Sequence, residues 1–128
     1  MRRMRKICGA LGLSMVLSCA SITPCFAARS VQLTASQYWS NSKSAEGQKS
    51  HFSGTTSKTN PRKVYFIAEY EDKTGWHYNT KQLIGAGKQC PDTNSDKMSR
   101  RNWRLQLNPY GTGTAGCVAN GTLKIGIY

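Results

Sequence analysis

Apolar and polar residues alternate in several short stretches of this chain, and no stretch sustains the 3.6-residue spacing of a helix. Between Ser30 and Trp39 the apolar positions begin as Val31, Leu33 and Ala35, a period of two that predicts a strand. Lys63 to Tyr70 carries the strongest such signal. Val64, Phe66, Ala68 and Tyr70 point one way, while Tyr65, Ile67 and Glu69 point the other. With both faces largely apolar, this strand belongs in the middle of a sheet. The turn-forming run Glu71 to Gly75 follows, and Trp76-His77-Tyr78 begins the return strand of a hairpin. Asn102 to Asn108 alternates again, with Trp103, Leu105 and Leu107 inward and Arg104 and Gln106 outward. Near the C-terminus, Asn120-Gly121 lies between Cys117-Val118-Ala119 and Thr122 to Tyr128, the dipeptide signature of a two-residue hairpin. Leu123, Ile125 and Ile127 share one face of that last strand.

The intervals between these stretches are polar. From Ser40 to Asn60 only Ala45 and Phe52 are apolar, which predicts a loop or a poorly ordered arm. Lys81 to Ile84 suits one helical turn or a further strand piece, closed by Gly85 and Gly87, and Lys88 to Arg101 is irregular around Pro91. There is no internal repeat. The pattern predicts an all-β fold, a small β-sandwich or partly open barrel of about six or seven strands.

The N-terminus reads differently. Arg2, Arg3, Arg5 and Lys6 precede a mostly apolar run from Ile7 to Ile22, and Cys25-Phe26-Ala27 places small residues where a signal peptidase requires them. The run is too short for a transmembrane span of roughly 20 residues. The expected organisation is a secretory signal over residues 1–27 and a single mature β-domain over 28–128, secreted or periplasmic and without a transmembrane segment. Val16-Leu17-Ser18-Cys19 also loosely resembles a lipobox, which would lipidate Cys19. Removing the signal takes four of the 18 basic residues, leaving 14 against 6 acidic ones, a net charge of +8. It also removes Cys8, Cys19 and Cys25. Cys90 and Cys117 remain, and in an oxidising compartment an even pair is expected to form a disulfide contributing about 3–4 kcal/mol.

Catalytic signals are sparse. The two histidines, His51 and His77, have no metal-binding spacing, and no phosphate loop or nucleophile elbow is present, so neither metal nor cofactor is expected. Glu69 and His77 flank the hairpin and, with Tyr65 and Arg62 or Lys63, would suit a small secreted nuclease if they faced one cleft. The ordinary alternative is a pair of cross-strand surface residues.

Positive charge is the broader signal. Lys97, Arg100, Arg101 and Arg104 cluster in sequence around Trp103, and Lys58, Arg62 and Lys63 form a second group. Clustered cations on a +8 domain attract anionic partners, here an anionic cell-envelope component or an acidic glycan, with nucleic acid the lesser candidate. Trp103 would either contact such a ligand or, by its alternation with Leu105 and Leu107, belong to the core. Tyr38 and Trp39 suggest an exposed aromatic edge, and Asn120-Gly121-Thr122 is formally a glycosylation acceptor. The small size, export signal and aromatic, serine-rich stretch over residues 36–78 resemble secreted bacteriocins of the lactococcin type, which implies an antibacterial role without assigning any site residue. Three functions are therefore expected in order: a cationic antibacterial protein that binds an anionic envelope, a module or inhibitor recognising a protein or glycan through its loops, and a small nuclease.

Overall fold

The computed structural model describes residues 27–111 and 113–126. The export segment, apart from Ala27, lies outside the described residues, as do Cys8, Cys19, Cys25 and Ile127. Nine strands are described: β1 (Ala27–Leu33), β2 (Ser40–Asn41), β3 (Ala45–Gly47), β4 (Lys49–Thr56), β5 (Val64–Asp72), β6 (Gly75–Ile84), β7 (Gln89–Asn94), β8 (Arg101–Pro109) and β9 (Ala119–Gly126). They form two antiparallel sheets, ordered β1-β9-β4-β7 and β2-β8-β5-β6, with β3 also pairing with β8. The architecture is all-β and consistent with a sandwich. Among the described residues no helix is long and apolar enough to cross a membrane.

The strong alternations land as expected. β5 is central, flanked by β6 and β8, and turns its Val64, Phe66 and Ala68 into a fully buried core. Trp103, Leu105 and Leu107 of β8 join them, and Phe52, Leu33, Leu123 and Ile125 face them from the other sheet. Trp103 is fully buried and its indole N–H donates to the Gly47 carbonyl at 2.8 Å, so its one polar group is satisfied inside. Trp103 therefore does not belong to the basic surface. Its place in the β8 alternation puts it beneath that surface.

Three expectations are corrected. The polar stretch at 40–60 is largely strand, and β4 is the interior strand between β9 and β7. Apart from Phe52, its inward positions are small or polar (Ser50, Gly54, Thr56), so a period of two exists without a run of large apolar side chains. Small residues are required here. Gly54 pairs with Gly121, and a Cβ on Gly54 would fall on the Asn120 carbonyl oxygen and within 2.5 Å of the Phe66 ring. On Gly121 it would meet Leu105 Cδ2 at 2.8 Å. The second sheet thus lies against bare backbone at this point.

The same pairing overturns the Asn120-Gly121 hairpin. Gly121 sits within β9, between Val31 of β1 and Gly54 of β4, so the dipeptide continues a strand. The chain before it does not return as a partner strand. Val118 N donates to Asn60 Oδ1 and Val118 O accepts from Ser57 N, tying that segment to the 57–60 turn.

Cys90 and Cys117, expected to be bridged, are both free, buried thiols. Cys90 on β7 stands opposite Gly54, whereas Cys117 lies before β9 on the other flank of β4. Cys90 Sγ donates to its neighbour's carbonyl, Pro91 O, and Cys117 Sγ to Arg62 O. Burial pushes the Cys90 thiol up to about 11, so at pH 8 only about one part in a thousand is thiolate.

Two outcomes follow from this packing. Gly54→Ala should lower unfolding free energy by about 2–3 kcal/mol in denaturant titration, against a change within about 0.5 kcal/mol for Ser53→Ala. Alkylation of the native protein, read peptide by peptide, should leave Cys90 and Cys117 unmodified at pH 8. Both should become modified in denaturant without reductant, and resistance there would show a bridge.

Candidate functional site

The outward positions of the second sheet carry most of the surface chemistry. Because Phe66 and its neighbours face inward, β5 turns Tyr65, Ile67 and Glu69 outward. The register places them beside Asn108, Gln106 and Arg104 of β8 and beside Leu83, Lys81 and Tyr78 of β6. Lys81 Nζ lies 5.2 Å from the Tyr65 ring centroid and 4.8 Å from that of Tyr78. The amides are chained: Asn108 Nδ2 donates to Gln106 Oε1 (3.3 Å), and Gln106 Nε2 donates to Asn41 Oδ1 (3.0 Å).

At the end where β8 finishes, this face opens into a groove of ≈ 630 Å³ lined by Tyr38, Trp39, Tyr65, Asn108, Pro109 and Tyr110, among others. Trp39 reaches it because Ser40, the next residue, pairs with Leu107. Tyr110 reaches it because its backbone N–H donates to Lys63 O at 2.8 Å. The Tyr65 and Tyr110 rings lie 5.8 Å apart, tilted by 44°. Tyr38, Trp39 and Tyr110 are 54%, 55% and 54% exposed, unusual for rings of this size. A second depression of ≈ 520 Å³, lined by Pro61, Arg62, Lys63, Leu83 and Tyr110, adjoins the first through Tyr110.

This end of the molecule is also basic. Gly87 N donates to Ser57 O and Thr56 N to Lys88 O, so the 57–60 and 85–88 turns pack together. They bring Lys58 and Lys88 to the same end as Arg62 and Lys63, all four exposed. Among the described residues none of these four is in an ion pair. Glu46, Glu69, Glu71, Asp72 and Asp96 lie from the middle of the second sheet toward its opposite, hairpin end, and Asp92 is on β7. The second basic group of the sequence is therefore gathered at one acid-free end.

The first group is dispersed. Arg104 projects outward, donating from Nε to Glu69 Oε1 at 2.7 Å, with its guanidinium 4.2 Å over the Trp76 ring. Arg101, two residues before the inward Trp103, lies instead over Tyr70, 5.5 Å from its centroid. Arg100 pairs with Glu46 at 3.2 Å, and Lys97 is exposed on the segment between β7 and β8. Alternation along β8 sends Arg101 and Arg104 to different faces, and Arg100 and Arg104 are each held by a glutamate.

The proposed nuclease pair is also separated. Glu69 stands opposite Tyr78 and holds Arg104, while His77 stands opposite Tyr70, on the inward side, its ring 5.5 Å from the tyrosine ring. His77 Nε2 lies 2.9 Å from Asp72 Oδ1 and 2.7 Å from Thr74 Oγ1. Thr74 donates its hydroxyl (2.7 Å) and its amide (2.8 Å) to the same Asp72 oxygen, and with His77 these bonds hold the carboxyl at about 2. This cluster locks the β5–β6 turn. Among the described residues no group of three or more His, Cys, Asp or Glu is placed to hold a metal ion.

Sequence reasoning pointed to Tyr38, Trp39, Tyr65, Arg62 and Lys63 separately, but missed Tyr110 and the amides of Asn41, Gln106 and Asn108. Pro109-Tyr110-Gly111 marks the end of a strand, and nothing local shows that it folds back beside Lys63.

No family model matches the chain, and no curated protein matches it. Among solved structures it is similar to the crystal structure of the Yersinia pseudotuberculosis-derived mitogen, at 10% sequence identity and a TM-score of 0.39, covering 83% of this chain and 88% of that one.

The Asp72 turn has a signed pH dependence. Its carboxyl pKa is lowered, so its stabilising effect is complete above the ordinary carboxylate value near 4 and is lost as pH falls through about 2. The melting temperature of Asp72→Asn should lie below that of the parent at pH 7, and the gap should narrow between pH 4 and pH 2. A gap that persists unchanged at pH 2 would mean the charge is not what locks the turn.

Proposed function

We propose that this chain is an exported cationic protein that attaches to the anionic envelope of a bacterium and acts against the cell carrying it. The observation that supports the reading best is the acid-free end formed by Lys58, Arg62, Lys63 and Lys88, on a domain whose charge is +8 once the signal is excluded. Exposed cations with no anionic neighbour keep their field available to an external surface, whereas Arg104 and Arg100 spend theirs on Glu69 and Glu46. Each basic side chain near an anionic membrane surface contributes about 1 kcal/mol, and the sum falls with salt within a Debye length. The resemblance to secreted bacteriocins adds the antibacterial outcome. A second reading, a module that recognises a glycan, is favoured by the aromatic groove beside the basic end.

Binding to whole bacteria and to anionic vesicles should weaken steeply as salt rises. Charge reversal by Arg62→Glu with Lys63→Glu should reduce it on the order of 100-fold at low salt, with a smaller loss for Lys97→Glu with Arg100→Glu. Salt-insensitive binding, or equal losses from the two pairs, would reject the basic end as the attachment surface. Attachment without loss of viability in any strain tested would remove the antibacterial part.

A further inference from the structure

The basic end and the aromatic groove share Tyr110, and their chemistries are complementary parts of one ligand. We infer that the groove is a binding site for an anionic polysaccharide, whose sugar rings lie on Trp39 and Tyr110 and whose carboxylates or phosphates face Arg62 and Lys63. The inference rests on the attachment reading above and names the envelope component that would be held.

Three features favour a sugar chain. The rings are aromatic rather than aliphatic and line a depression, offering flat apolar faces to the C–H faces of a pyranose, with phenolic hydroxyls at their edges. The floor carries Asn108, whose Oδ1 and second amide hydrogen are not used by its single bond to Gln106, and paired donors and acceptors of that kind match vicinal hydroxyls. The flank carries Arg62 and Lys63, and Lys81 over Tyr65, with no acidic residue among the groove's or the adjoining depression's lining.

The other sheet supplies a contrast. Its outward depression, lined by Ser30, Val31, Gln32, Asn120, Gly121 and Thr122, has polar side chains but neither aromatic ring nor cation. The groove thus joins aromatics, amides and unpaired cations where that depression does not. A membrane-inserting surface would project its apolar groups, whereas these rings wall a concavity. Single-stranded nucleic acid also joins rings to phosphates, but the Tyr65 and Tyr110 rings, at 5.8 Å and 44°, are tilted rather than parallel and leave no slot for a stacked base between them.

The full-length protein should be titrated with polygalacturonate and a glycerol-phosphate teichoic acid as acidic glycans, dextran as a neutral one, poly(U), and anionic phospholipid vesicles. At least one acidic glycan is expected to bind at least 10-fold more tightly than dextran or poly(U), and to shift the fluorescence of the exposed Trp39. Trp39→Ala and Tyr110→Ala should each weaken that binding about 10-fold while leaving vesicle binding unchanged. Tyr110→Phe, which keeps the ring, should weaken it less. Arg62→Gln with Lys63→Gln should reduce both. Unchanged glycan affinity in Trp39→Ala and Tyr110→Ala would overturn the groove as the site while leaving envelope attachment standing. Equal affinity for dextran would overturn the anionic ligand, and tighter binding of poly(U) would overturn the glycan altogether. Absence of vesicle and cell binding even at low salt, with glycan binding retained, would reject the attachment reading instead.

Discussion

The Phe66 ring lies where two neighbouring strands of the facing sheet both have glycine. Gly54 and Gly121 stand side by side in register, and the ring occupies the space their side chains would have filled. This close approach constrains more than the core. With Phe66 inward, Tyr65 and Ile67 must face solvent, and the β8 register then sets Asn108 and Gln106 beside them. A slip of one residue in β5 would put Phe66 in water and Tyr65 against the glycines. The outward surface is in this sense the imprint of an inward contact.

That contact also explains which parts of the fold were legible. β5 and β8 show their alternation openly because their inward residues are Val, Phe, Trp and Leu. β4 is as central in its own sheet, yet its inward residues include Ser50, Gly54 and Thr56, and Gly54 leaves room for the Phe66 ring that faces it. Smallness complementary to a distant Phe66 has no local signature, and so the segment reads as a loop. Asn120-Gly121 misleads for the same reason. Its glycine answers a packing need across the sandwich rather than a turn in the backbone. Parity of cysteines likewise says nothing about where they end up: Cys90 lies on β7 and Cys117 before β9, each free and buried in the core.

Legibility of the surface was more uneven. Neighbours in sequence along β8, Trp103 and Arg104, go to opposite sides, so a cluster of charge in the sequence became a buried indole and an ion-paired arginine. Residues far apart in sequence (Trp39, Tyr65 and Tyr110) instead became neighbours through the pairing of β2 and β5 with β8. Sequence proximity serves for turns such as Asp72 to Gly75, where the partners are within five residues. It does not serve for a groove assembled from three separate stretches of chain.

The separation of charge along the sheets has one more consequence. Lys58, Arg62, Lys63 and Lys88 stand at one end without an acid among them, while at the other Lys73, Arg100 and Arg101 stand among Glu46, Glu71 and Asp72, so the two ends differ in charge balance. In the field of a negative surface the net charge pulls and the unequal ends turn. A domain so built rotates during its approach, before any atom touches. On the proposed attachment to an anionic envelope, it would meet that surface with the end that holds the groove, and the tip of the β5–β6 hairpin would point back into the medium.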